Sequence, residues 1–152
     1  MTDNPDMTGA PPPPPPDTSG VNPWKTRLPI LIGAHATGTT NSVAVLSMAP
    51  VISAAFNLTA TQFGIFVSCY YGGQALWSVP SGGMTDRLGV GWALVIGHAI
   101  MAAAAVLMSY SPDFTTCMVA AFFMGIGYSM LNPSTARGVF EWFPAHRRGA
   151  AM

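Results

Sequence analysis

Apolar residues fill four long stretches of the chain, at about residues 28–55, 61–81, 92–110 and 114–138. Each stretch meets the need for roughly 20 apolar residues to cross the hydrocarbon core of a bilayer, and its central part carries no charge. The apolar positions run on without strict alternation, which favours helices over the strands of a membrane barrel. The pattern therefore predicts an all-α fold, a polytopic bundle of transmembrane helices in contact with a lipid bilayer.

The first 23 residues have a different composition. Six consecutive prolines, Pro11–Pro16, stand among Asp, Thr, Ser, Gly and Asn. Such a segment cannot bury apolar surface, so residues 1–23 are predicted to form a disordered, extended tail ahead of a membrane domain at residues 24–152. A role as the ligand of a proline-binding module is the alternative interpretation.

Charged residues are scarce and balanced in sign. They make up only 8% of the chain, six acidic and six basic, whereas soluble domains carry about 25%. This composition provides no strongly basic surface, and no nucleic-acid partner is expected. Cys69 and Cys117 lie inside apolar stretches, which predicts buried free thiols. The histidines lack companions at metal-ligand spacing and no nucleophile, base and orienting group converge, so the sequence predicts no metal, no cofactor and no enzyme.

The cations fall on one side of the four predicted helices. With the amino terminus inside the cell, the inner segments and the inner end of the fourth helix contain Lys25, Arg27, Arg87, Arg137, Arg147 and Arg148. The two outer loops contain no Lys or Arg, and Asp113 is their only charged residue. The positive-inside rule therefore predicts an integral protein of the plasma (inner) membrane with a cytoplasmic amino terminus.

Polar side chains lie near the middle of the predicted helices. Pairs spaced four residues apart share a helical face, and such pairs occur on the first and the fourth helix. Two interpretations are open, because polar groups at this depth form either the wall of a substrate cavity or hydrogen bonds between helices. The candidate cavity residues are Thr37 and Asn41 on the first helix, Tyr71 and Gln74 on the second, and Tyr128 and Asn132 on the fourth.

Prolines and small residues predict how these helices bend and pack. Pro50 should bend the first helix and Pro133 should kink or break the fourth, because proline removes a backbone donor. Small residues at every fourth position permit close approach of helix backbones. These sets are Gly64, Ser68 and Gly72 on the second helix, and Cys117, Ala121, Gly125 and Ser129 on the fourth.

The segment between the second and third helices carries the most informative motif, Gly82, Asp86, Arg87 and Gly89. It resembles the loop between helices 2 and 3 of the major facilitator superfamily, except that Val90 and Gly91 replace two expected cations. The two outer glycines suit turns with positive φ. The resemblance implies a conformational switch. In it, Asp86 pairs with a helix amino terminus from the other half and stabilises the outward-facing state, and Arg87 joins the same charged cluster.

A second motif follows the fourth helix. Glu141 and Arg148 are separated by six residues and followed by Gly149, which resembles the loop between helices 4 and 5 of sugar porters. The pairs Asn132-Pro133 and Arg148-Gly149, with Trp142-Phe143-Pro144 between them, look more like members that carry organic or inorganic anions. The resemblance implies an inner-surface charge network formed by Arg137, Glu141 and Arg148 with Asp86 and Arg87.

The resemblance implies secondary active transport of a small solute, as a symporter that works by alternating access between two six-helix halves. The chain stops at Met152, where the fifth helix should begin, so we expect an amino-terminal fragment whose partners are the remaining transporter helices and a small-molecule substrate. The alternatives are a dimeric four-helix transporter and a non-transporting membrane adaptor. Because no Asp or Glu lies in the middle of a predicted helix, a coupling group must be a histidine or lie outside this chain.

Overall fold

The computed structural model describes residues 24–143 and 148–151, and these residues form helices joined by short connections, with no strand among them. The predicted all-α fold is therefore confirmed. The predicted tail at residues 1–23 and the segment 144–147 lie outside the described residues. The helices are α1 (Arg27–Ser47), α2 (Ala49–Phe56), α3 (Ala60–Leu88), α4 (Val90–Ser109), α5 (Phe114–Ser129), α6 (Leu131–Trp142) and α7 (Arg148–Ala151).

Two stretches of the described chain are long and apolar enough to cross a membrane, namely α4 and the continuous stretch Phe114–Trp142 formed by α5 and α6. The pair α1 and α2 adds a third if its two parts, which meet at 50°, count as one span. At 29 residues α3 is long enough to span a membrane. Its glycines, serines, tyrosines and glutamine make its mean hydropathy lower than that of the other candidate spans. The four predicted spans, including the second one on α3, stay a prediction.

Both predicted proline bends coincide with breaks in the helices. The bend between α1 and α2 lies at Met48, just before Pro50. The break between α5 and α6 lies at Met130, three residues before Pro133. Proline has no backbone N–H, so the carbonyl four residues earlier, at Ser129, loses its helical donor. The hydroxyl of Ser81 on α3 lies 2.8 Å from the Ser78 carbonyl of its own helix and 3.2 Å from the Ser129 carbonyl oxygen, so its one proton is shared between the two and supplies a partial replacement.

Local side chains define the ends of three helices. Thr59 and Gln62 form a reciprocal capping box at the start of α3, and Asp113 accepts the backbone N–H of Thr116 at the start of α5. Asn57 ends α2 in the left-handed conformation with φ of 50°. These residues therefore have a structural explanation in helix capping.

The Gly82–Gly89 motif is not a loop, contrary to the prediction. Helix α3 continues through Leu88, and only Gly89, with φ of 80°, separates it from α4. Gly82 is helical and does not adopt the predicted positive φ. The physical reason is that Ser81 and Thr85 are fully buried and hydrogen-bonded, which stabilises the helix through this stretch.

Helix α5 is the centre of the bundle and packs closely on α3 and α4. A Cβ added at Gly125 would lie 2.0 Å from the carbonyl oxygen of Tyr70, and one at Gly73 would lie 2.2 Å from that of Phe122. Gly97 and Gly127 allow a close but wider contact between α4 and α5, where the corresponding distances are 2.9 and 2.7 Å. The predicted small-residue face of α5 is buried accordingly: Cys117, Ala121, Gly125 and Ser129.

The predicted packing face of α3 is wrong. A Cβ at Gly64 or Gly72 would meet nothing within 4 Å, and Ser68 is exposed. The face that packs is offset from the predicted one and is formed by Phe66, Tyr70, Gly73, Ser81 and Thr85. The reason is that two large side chains, Phe66 and Tyr70, fill the core beside the small residues of α5.

The helices alternate in direction and produce two distinct ends. At one end Arg27 lies over the ring of Trp142, with 5.3 Å to the ring centroid, and Trp24 contacts Phe143 edge to face. We call this the charged end, because α3 and α6 also bring Asp86, Arg137 and Glu141 together there. At the opposite end the rings of Phe56 and Phe114 lie 6.3 Å apart.

Candidate functional site

The main polar feature of the charged end is an arginine held between two acids. Arg137 on α6 donates from Nη1 to Asp86 on the last turn of α3, and from Nε to Glu141 one turn further along its own helix. The Asp86 side chain is 72% exposed, whereas that of Arg137 is 33% exposed. The pairing connects two helices whose sequence positions are 51 residues apart.

The other two arginines of the predicted network lie outside this group. Arg148 donates to the carbonyl oxygens of Phe143 and Phe140, at 3.1 and 3.0 Å, and its guanidinium lies over the Phe140 ring. It therefore caps carbonyls at the end of α6 instead of pairing with Glu141. Arg87 is exposed and forms no ion pair within the described part of the chain. The predicted five-residue network is reduced to Asp86, Arg137 and Glu141 because Arg148 finds backbone acceptors nearer to its own helix.

A line of buried hydroxyl groups lies next to the Asp86–Arg137 pair, towards the interior of the bundle. It was not predicted from the sequence. The hydroxyls of Thr85 and Ser134 lie 3.1 Å apart and join α3 to α6, and the Ser81 hydroxyl lies 3.2 Å from the carbonyl oxygen of Ser129, the last residue of α5, and joins α3 to α5. All four residues are buried. The signal that points to them is the spacing of four between Ser81 and Thr85, directly before Asp86.

The geometry suits a contact that must form and break. A solvent-exposed ion pair is weak because water screens it and because ordering two side chains costs entropy. The buried hydroxyl contacts join α3 to α5 and α6 without involving the charged side chains. Asp86 thus has a fixed backbone position and an exposed carboxylate that is free to exchange partners.

Two of the six predicted cavity residues share a groove. Thr37 and Asn41 line a shallow groove on α1 together with Ala36, Thr40 and Ala44. The Thr37 hydroxyl donates to the carbonyl of Gly33 on its own helix, at 2.8 Å. The Oδ1 atom of Asn41 is buried and has no hydrogen-bond partner among the described residues.

The other four predicted cavity residues lie on three different helices. On α3, Tyr71 is half exposed beside Tyr70, and Gln74 presents its backbone to Gly125. On α5, Tyr128 is half-buried near Gly38 of α1. Asn132, on α6, is exposed. Their role in a substrate cavity stays a prediction.

The family of the chain follows from comparison with known proteins. The profile of the Major Facilitator Superfamily matches residues 30–152, which includes every helix described above except the first three residues of α1. The chain belongs to the major facilitator superfamily. It is therefore an integral membrane protein of a transporter family, and the predicted resemblance is confirmed.

Several bacterial relatives carry transporter names. The chain is 31% identical to "Uncharacterized transporter YybO" of Bacillus subtilis over 72% of its own length and 25% of the relative. It is 29% identical to "Probable sulfoacetate transporter SauU" of Cupriavidus necator over 68% of the chain and 24% of the relative. It is 33% identical to "Niacin transporter NiaP" of Acinetobacter baylyi over 60% and 21%.

The chain spans about a quarter of the length of these curated relatives. No solved structure matches it significantly. The transporter names of the relatives fit the prediction that the chain is not an enzyme.

Proposed function

We propose that this chain forms the first helices of a secondary active transporter that moves small organic anions by alternating access. Membership of the major facilitator superfamily supports transport. Two of the relatives are named for sulfoacetate and niacin, both small organic acids that carry a negative charge at neutral pH. Four-helix exporters are a different class of protein, so family membership also disfavours the dimeric small transporter.

The observation that carries the proposal is the Asp86–Arg137 pair at the charged end. Alternating access requires contacts at one end of the transporter that form in one state and break in the other. The exposed carboxylate of Asp86 pairs with α6 here and, in the outward-facing state, would also face a helix amino terminus of the other half. Glu141 holds Arg137 in place while that exchange occurs.

The charged end is proposed to face the cytoplasm. Lys25, Arg27, Arg87, Arg137 and Arg148 lie at or beside this end, whereas Asp113 lies at the opposite end. Positively charged residues are retained on the cytoplasmic side during membrane insertion. The Asp86 contact would therefore close the inner side of the substrate path.

Asn41 is proposed to contact the substrate, because its side chain lies in the α1 groove, where its amide N–H group can donate to an anion. In membrane vesicles that contain the full-length transporter, uptake of labelled sulfoacetate and nicotinate tests this. Replacing Asn41→Ala should raise KM severalfold for the transported anion, because an amide donor to the anion is lost. Ser68→Ala is the matched control, since Ser68 is exposed on α3 and bonds only to its own helix.

The measurement separates transport from packing. A KM that stays constant in Asn41→Ala while the amount of protein in the membrane falls would assign Asn41 to helix packing. An absence of uptake of both anions by the unmodified protein would contradict the proposed substrate class.

A further inference from the structure

The end of helix α6 is held from two sides at the charged end. On one side Arg148 donates to the carbonyl oxygen of Phe143 at 3.1 Å. On the other side Trp24 meets the ring of Phe143 edge to face, with 4.9 Å between the ring centroids. Arg27 lies over the ring of Trp142, with 5.3 Å to the centroid. Phe143 is buried and both tryptophans are partly buried against the hydrophobic core, so the start of α1 contacts the end of α6 through aromatic rings.

Below these rings the packing between α1 and α6 is incomplete. The two helices touch at Gly138, where an added Cβ would lie 3.0 Å from the Leu31 side chain. Beside that contact a cavity of about 230 Å³ lies between the helices, with Leu28, Thr135 and Val139 in its wall. Atoms that face a cavity lose their contacts across it. The ring contacts therefore supply a connection at the charged end that packing below them supplies only in part.

The start of α1 is not fixed by a side-chain cap. Thr26, the residue before the helix, makes no capping hydrogen bond with its side chain, and the first turn of α1 contains no acidic residue. Capping side chains and acids near the amino terminus are the usual stabilisers of a helix start. Because α1 has neither, the contacts with the rings of Trp142 and Phe143 take over part of this task.

The ring contacts lie directly beside the charged pair on α6. Trp142 follows Glu141, which accepts from Nε of Arg137 one turn earlier. A side-chain contact between residues four apart requires that the turn between them stays helical. The last turn of a helix frays most readily, because its carbonyls lack helical donors. A fixed Trp142 therefore keeps Glu141 beside Arg137, and Arg137 in turn pairs with Asp86 on α3.

We propose that Arg27 and Trp142 are positioning residues for the Asp86 contact, a role that rests on the proposed function. Arg27 at the start of α1 fixes the Trp142 ring, and the ring fixes the last turn of α6. That turn holds Glu141 and Arg137 opposite Asp86. A cation over a partly buried ring is at least as strong as an exposed ion pair. Loss of the ring contact therefore weakens an ion pair whose own strength is small.

The first test measures the last turn of α6 directly and does not depend on transport. Hydrogen–deuterium exchange of the full-length protein in lipid nanodiscs is followed by mass spectrometry on peptides that cover residues 138–143. We expect the amides of this turn to exchange severalfold faster in Trp142→Leu and in Arg27→Gln, because local opening becomes easier. Trp92→Leu is the matched control, since Trp92 is 67% exposed at the start of α4, at the same end of the bundle.

The second test asks whether the effect acts through Asp86. Counterflow of a labelled organic anion in proteoliposomes should be severalfold slower in Trp142→Leu, and Trp142→Phe should restore most of the rate, because it keeps an aromatic face for Arg27. In an Asp86→Asn background, Trp142→Leu should cause no further slowing, because the contact that it serves is already lost. If Trp142→Leu does not reach the membrane, Arg27→Gln, which leaves the ring in place, replaces it.

The outcomes separate the two proposals. Equal deuterium exchange in Trp142→Leu and Trp92→Leu would overturn the inference even if transport is found. Equal slowing by Trp142→Leu with and without the Asp86 carboxylate would also overturn it, because a residue that only stabilises the fold acts in both backgrounds. Absence of counterflow by the unmodified protein refutes the proposed function and, with it, the positioning role, whereas deuterium exchange still decides whether the start of α1 holds the end of α6.

Discussion

A side chain on one helix can replace a backbone hydrogen bond that is lost on another helix. Pro133 deprives the Ser129 carbonyl of its helical donor, and Ser81 supplies a hydroxyl to that carbonyl from a different helix. Leaving a buried carbonyl without a donor is costly, particularly in a membrane where water cannot replace it. The sequence predicted the proline break, but it did not predict Ser81, because pairing between α3 and α5 depends on how each helix is rotated.

Replacing Ser81→Ala should therefore lower the free energy of unfolding by about 1 kcal/mol, since a hydrogen bond between membrane helices contributes about 0.6 to 2 kcal/mol. Ser78→Ala is the control, because Ser78 is exposed and bonds only to the Ala75 carbonyl of its own helix. Unfolding of the purified protein in detergent measures both. Equal stability of Ser81→Ala and Ser78→Ala would show that the Ser129 carbonyl does not depend on Ser81.

Helices in this bundle approach one another where glycine replaces a side chain. Gly125 on α5 lies against the α3 backbone, and Gly73 on α3 lies against the α5 backbone. Sequence spacing identified the α5 face correctly and the α3 face wrongly. Both α3 faces contain small residues, so spacing alone cannot distinguish glycines that contact a described helix from those that do not.

Replacing Gly125→Ala should separate α3 from α5, because the added methyl group would lie 2.0 Å from the Tyr70 carbonyl oxygen, and backbone atoms there cannot rotate away. We expect a large loss of folded protein and a melting temperature lower by several degrees. Gly72→Ala is the control, since a Cβ there meets nothing within 4 Å. Thermal unfolding monitored by size-exclusion chromatography checks both, and indistinguishable melting of the two variants would contradict the packing described here.

At the scale of the whole molecule, the order of helices and one charged motif were predictable, whereas the contacts of that motif were not. Gly89 was correctly expected to have positive φ, since it alone separates α3 from α4. Asp86 forms its ion pair with Arg137 because α6 lies close to the end of α3. Arg148 does not take part, because it donates hydrogen bonds to backbone carbonyls of Phe140 and Phe143 instead. Residue spacing in the sequence does not show whether an arginine will bond to a backbone carbonyl or to a carboxylate.

The central claim is that Asp86 at the charged end controls alternation of a transporter of small organic anions. Counterflow of a labelled organic anion in proteoliposomes of the full-length protein tests this claim most directly, with Asp86→Asn compared with Asp113→Asn. Asp113 is an exposed acid at the opposite end, where it caps the amino terminus of α5. Asn caps a helix amino terminus about as well as Asp does. The account predicts rapid exchange by the unmodified protein and Asp113→Asn, and at least tenfold slower exchange, roughly 1.4 kcal/mol of barrier, by Asp86→Asn at equal protein content. Equal exchange by all three proteins would contradict the claim.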